Sequence, residues 1–195
     1  MTPSVCRGPL ALGLAVLVYG ALAACGKGGE NKTPEPPPPM DLAGSRVMII
    51  PARARAPLEL DQELVARLTD GAPRTDWIPP AEVRETVASI PARFGLDAPR
   101  HLVDIGGGQL RLQDPLYGDV RRLGAVLDAS MAVVPLATTV TRDSLGVTLE
   151  LGVVVVSIHG GRVLWFHTVM GGPAETAAAA AADAAAALVR TLILP

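Results

Sequence analysis

Cysteine is scarce in this chain: two among 195 residues, Cys6 and Cys25. Residues 26–195 therefore hold no thiol, which excludes a disulfide, a thiolate metal ligand and a cysteine nucleophile there. Charge is also thin. Only 18% of residues are charged, too few for a coiled coil. Seventeen Lys plus Arg against 19 Asp plus Glu give a net charge of −2, so there is no basic field to attract phosphate backbones, and nucleic acid is excluded as a partner. Long apolar runs are missing as well. The longest, residues 10–24, covers 15 positions, short of what crosses a bilayer comfortably. What the chain has in quantity is apolar residues (49%), 20 glycines and 18 prolines, in a length that fits one domain with appendages.

The apolar run has the length of a secretory h-region. It ends in Leu22-Ala23-Ala24-Cys25, which resembles the lipobox of bacterial lipoproteins. An aliphatic residue stands three before the cysteine, small residues fill the two places between, and the cysteine closes the run. The resemblance implies that residues 1–24 are a cleaved signal peptide. It also implies that Cys25 is the lipid attachment site, carrying lipid on its thiol and an acyl chain of the palmitate kind on the new amine. Several buried chains at about 0.8 kcal/mol per CH₂ hold a protein firmly to a membrane. Residue 26 is Gly, whereas Asp there marks inner-membrane retention in such lipoproteins. The expected location is the outer membrane, facing the periplasm.

Residues 25–43 then read as a lipidated cysteine and a Gly/Pro-rich tether, with four successive prolines at 36–39. Extended polyproline rises about 3.1 Å per residue, so the tether stands the rest off by up to roughly 45 Å. Residues 44–195 form the expected single domain. A β-branched apolar run at 46–51 suits a buried strand. Leu60, Leu64 and Leu68 recur every four residues in a first helix, and Asp76-Trp77-Ile78-Pro79 is a second strand. A helix from Pro80 to Ile90 carries Val83, Val87 and Ile90 inward. Asp114-Pro115 caps a third helix, whose stripe is Leu116, Val120, Leu123 and Leu127 while Asp119, Arg121 and Arg122 face away. Residues 131–140 make a strand whose Pro135 demands an edge or a bulge. Residues 147–158 alternate and then turn apolar on both faces, as a central strand does. His159-Gly160-Gly161 turns the chain into an antiparallel return strand that Gly171-Gly172-Pro173 closes. The alanine-rich stretch at 174–192 is a covering helix. Residues 92–113 show no clear pattern.

The fold class expected is thus α/β: a small mixed sheet with a C-terminal antiparallel hairpin, helices packed on it, and a closing Ala-rich helix. Three segments are similar to a group of small envelope domains. They are the opening strand ending in Pro51, the step Trp77-Ile78-Pro79-Pro80-Ala81-Glu82-Val83-Arg84, and the hairpin with Gly161-Arg162-Val163-Leu164-Trp165. The group comprises the TolB amino-terminal domain, the curli-secretion lipoprotein CsgG and lipoprotein activators of peptidoglycan synthases. Ser157-Ile158-His159 stands where its members often carry an Asp. The resemblance implies docking onto an envelope protein and no enzymatic activity.

Other patterns were weighed for chemistry. Val103-Asp104-Ile105-Gly106-Gly107-Gly108 looks like the cofactor turn of SAM-dependent methyltransferases, but no helix is expected after it, so a loop or hairpin is favoured. His101, His159 and His167 lack metal-ligand spacing, and Ser130, Ser144 and Ser157 lack a nucleophile elbow. Trp165 and Phe166 alternate faces, one of them in the core. Arg100, Arg111, Arg121 and Arg122 are expected to solvate a helix face and a loop. No catalytic, cofactor-binding or metal residue is assigned, and no cofactor is expected. The function expected is a membrane-anchored, non-enzymatic partner-binding or assembly factor. The alternatives are an envelope hydrolase or transferase with a spatially assembled site, and an accessory of lipid or solute transport.

Overall fold

The computed structural model describes residues 37–53 and 56–194, so the signal segment, Cys25 and most of the tether lie outside the described residues. Along the chain come β1 (Arg46–Ile49), α1 (Leu60–Gly71), β2 (Asp76–Ile78), α2 (Pro80–Ser89), β3 (Leu102–Asp104), β4 (Leu110–Leu112), α3 (Leu116–Leu127), β5 (Met131–Asp143), β6 (Gly146–Ser157), β7 (Val163–Ala174) and α4 (Ala177–Leu192). Five strands form one mixed sheet in the order β2-β1-β5-β6-β7, parallel at β2-β1-β5 and antiparallel beyond. The expected α/β class, the closing hairpin and the Ala-rich last helix are all present.

Because strand side chains alternate, the apolar runs feed two cores. Val47, Ile49, Val133, Val153 and Val155 meet Leu60, Leu64 and Leu68 of α1 and the alanine stripe of α4. Met48, Ile50, Ala132, Val134, Val154 and Val156 meet Val83 of α2 and Leu116, Val120, Leu123 and Leu127 of α3. The sheet is thereby sandwiched between α1 with α4 and α2 with α3. Close approach of α4 depends on Gly171, where a Cβ would stand 2.0 Å from the Ala180 carbonyl oxygen. The Thr176 hydroxyl caps α4 by accepting from Ala179 N–H at 3.1 Å.

Several details depart from the sequence expectation. The folded body begins before residue 44: Met40 bridges Ile193, and Leu42 is buried in the first core. Residues 92–113, unreadable from pattern, contain the β3–β4 hairpin. Pro135, by contrast, meets the expectation of an edge or a bulge: β5 is an interior strand with a bulge between Pro135 and Ala137, past the last residue paired with β1. β7 runs on through Gly171-Gly172-Pro173 to Ala174, which pairs with Val147. Asp114, expected as the N-cap, sits one residue upstream of the observed cap Pro115, and its carboxylate accepts from Gly118 N–H at 3.0 Å. A register shift between Val155 and Val156 puts Val163 against the second core, while Trp165 and Val169 face the first.

Candidate functional site

In open α/β sheets, ligands bind outside the carboxyl ends of parallel strands where the strand order reverses. Here that point lies between β1, which leads through α1 to β2, and β5 on its other side. The place is filled from within. Arg100, only 7% exposed, donates from Nη1 to the Pro135 carbonyl and from Nη2 to the Pro51 and Leu96 carbonyls at 2.7 and 2.9 Å. Its fork joins the end of β1 to the bulge of β5, just past the last residues that pair the two strands. Burial, with the charge of Arg53 adding to it, lowers the Arg100 pKa from the ordinary guanidinium value to about 10, so the group stays cationic at neutral pH. What remains beside it is a hollow of about 170 Å³ lined by Arg53, Ala56, Pro135 and Leu136. The expectation that Arg100 solvates a loop is corrected: three backbone carbonyls hold it inside.

The glycine-rich turn at 106–108 forms the tip of the β3–β4 hairpin. Asp104 accepts from Gly106 N–H at 2.7 Å, all three glycines take positive φ, and a strand rather than a helix follows. The histidines serve separate surroundings. His101 and His159 are exposed, and the His159 carbonyl accepts from the Tyr117 hydroxyl at 3.1 Å. His167 packs edge-on to Trp165 with ring centroids 5.9 Å apart. Ser130 donates to the Arg46 carbonyl at 3.2 Å, while Ser144 lies in the exposed β5–β6 turn. No group of three or more His, Cys, Asp or Glu able to hold a metal occurs among the described residues.

Asp119 corrects a second expectation, because it is buried rather than facing away. It accepts from Gly95 N–H at 2.6 Å and pairs with Arg122, whose guanidinium lies 5.0 Å from the Phe94 ring centroid. Sequence offered one signal, the i,i+3 spacing of opposite charges. Arg100 gives no local signal at all. Trp165 and Phe166 divide as expected, at 2% and 41% exposure.

Two surfaces remain available. One is the outer edge of β7, considered below. The other is an apolar groove of about 700 Å³ between α1 and α2, lined by Leu58, Val65, Ala66 and Pro79 to Ala81, with the Asp61–Arg84 ion pair in it. No described helix is long and apolar enough to cross a membrane.

Comparison with known proteins adds little to this geometry. No protein-family profile matches the chain, and no curated protein matches it. Among solved structures, the lipoprotein GNA1162 from Neisseria meningitidis is similar at 16% identity and a TM-score of 0.40, over 65% of this chain and 78% of its own. The hypothetical protein CT253 from Chlamydia trachomatis is similar at 16% identity and a TM-score of 0.32, over 66% and 72%. Likenesses of this size do not say what the chain does.

Proposed function

We propose that the chain is an outer-membrane-anchored, periplasm-facing lipoprotein that binds a protein partner or assists an assembly in the cell envelope, and that it is not an enzyme. The observation that carries this is the occupied crevice. Where an α/β sheet ordinarily receives a small ligand, the chain has placed its own Arg100, while the opposite end of the sheet offers a long strand edge. The lipobox resemblance at Cys25, the proline tether and the likeness of three segments to the TolB, CsgG and synthase-activator group point the same way. In-cell crosslinking followed by purification from envelopes tests it: a defined protein should be recovered with the chain, and recovery of none counts against the reading.

The groove between α1 and α2 favours a second reading, an accessory of lipid or solute transport. It requires lipid to co-purify. Organic extraction of protein isolated from membranes, followed by mass spectrometry, should find a stoichiometric lipid beyond the covalent anchor; its absence removes this alternative.

A further inference from the structure

β7 is the last strand of the sheet, and among the described residues no strand pairs with its outer side; just before it, an isolated antiparallel bridge joins Arg111 and Arg162. There Leu112 N–H donates to the Gly161 carbonyl at 2.9 Å. Beyond it, the outward backbone groups of residues 164–170 meet no other described strand. Exposed edges are ordinarily blunted by shortness, charge or proline. β2 at the other edge obeys, being three residues long and carrying Asp76. Residues 164–170 do not obey: they are Leu-Trp-Phe-His-Thr-Val-Met, with no proline and no side chain of fixed charge. Phe166 and Met170, 41% and 56% exposed, stand on one face of this edge and offer apolar contacts to a strand laid along it.

The end of the edge carries charge. Arg111 and Arg162 are directly opposed across the bridge, an arrangement in which like charges repel. Neither has a carboxylate partner among the described residues. The Arg111 guanidinium instead lies over the Tyr117 ring, 4.8 Å from its centroid. Beside Arg162 a groove of about 330 Å³ lies between Gln109 and Leu110 on one side and Leu164 and Phe166 on the other, with Pro37 of the tether also lining it.

We propose that the free edge of β7 takes the extended C-terminal segment of a partner protein, antiparallel to β7, with its terminal carboxylate between Arg111 and Arg162. Chain polarity sets the direction. β7 runs away from Arg162, so a strand antiparallel to it must end there, as β4 does. The carboxylate then offsets the repulsion of two guanidinium groups whose forked donors match its geometry. Backbone bonds along the edge supply strand addition, and the carboxylate fixes the register. A second copy of this chain is the poorer occupant, because the twelve residues of its β7 contain no acid to bring to the pair. This inference rests on the partner-binding reading above and names the surface that does the binding.

The test uses mature, full-length protein in detergent and a library of octapeptides tethered by their N-termini, presented once as free acids and once as C-terminal amides. A subset of acids should bind, and amidation should weaken each at least tenfold, about 1.4 kcal/mol. Arg111→Gln combined with Arg162→Gln, with an unchanged circular dichroism spectrum, should erase the difference between acid and amide. Amide hydrogens of residues 164–170 should exchange more slowly when a binding acid is present. Binding that ignores amidation, protection elsewhere in the chain, or self-association through β7 in sedimentation velocity would each overturn the proposal. The acid-against-amide comparison needs no variant to fold. If no peptide binds while envelope crosslinking still recovers a protein, the edge proposal falls and the partner-binding reading survives.

Discussion

Arg100 shows how one side chain can replace a missing strand. Its two terminal nitrogens serve the carbonyls of Pro51 just past β1, Pro135 at the bulge of β5 and Leu96 in the loop after α2, leaving only Nε without a partner among the described residues. In Arg100→Ala the buried Pro51 and Pro135 carbonyls and the part-buried Leu96 carbonyl lose this donor at roughly 1 kcal/mol each, so a loss of about 3 kcal/mol is expected. For a body of this size that lowers the melting temperature by roughly 6–12 °C. Arg100→Lys should recover only part, because an ammonium cannot span the three acceptors. The sign of the pH dependence follows from burial. The folded pKa, about 10, lies below the unfolded guanidinium value, so above about pH 10 the unfolded chain binds more protons and stability from this group rises with pH. Below pH 9 it is flat. Thermal melts of wild type and Arg100→Ala from pH 6 to 9 should therefore run parallel. A melting temperature for Arg100→Ala within 2 °C of wild type would show that the fork is dispensable.

At the level of the elements, periodicity spoke wherever a single face is buried. The leucines of α1, the stripe of α3 and the two-faced apolar half of β6 all sit in the cores where their spacing put them. Legibility failed where a partner distant in sequence decides the outcome. The β3–β4 hairpin is three residues a side and buries only Leu112 fully, so it leaves no alternation to read. Asp119 faces inward because Gly95, far upstream, presents an N–H to it. α3 separates these two kinds of information. Leu123 is fully buried, and Leu123→Asp should leave no folded protein, since an unpaired charge enters an apolar core. Arg122 alone reads as a solvated residue whose removal costs nothing, but it pairs with Asp119 and covers Phe94. Arg122→Ala should cost about 1–2 kcal/mol through the carboxylate left behind. Urea titrations of both variants check the assignment: a neutral Arg122→Ala, or a folded Leu123→Asp, would mean that α3 does not present these faces.

For the molecule as a whole, sequence located the body and its composition of layers but not its boundary or its open edge. Strand order is decided by contacts between distant segments, so nothing local announced that β7 is outermost. The boundary was missed because Met40 and Leu42 follow a run of four prolines and look like more tether. In the fold, Met40 N–H donates to the Leu192 carbonyl at 2.7 Å, Leu194 N–H donates to the Met40 carbonyl at 3.3 Å, and Leu42 is 2% exposed. The Thr75 hydroxyl also donates to the Leu42 carbonyl at 3.1 Å. These contacts make residues 40–42 a short strap that ties the start of the body to the end of α4. A chain beginning at residue 37 should therefore melt with the intact protein. One beginning at residue 44 loses a buried leucine, worth about 2–5 kcal/mol, together with the bonds of the strap. Its melting temperature should fall by at least 5 °C, a drop that is independent of the proposed lipid anchor, because Cys25→Ser in the intact chain should leave the melt unchanged while releasing the protein from the membrane fraction if that proposal holds. Equal melting temperatures for the two shortened chains would show that the strap adds nothing to the fold.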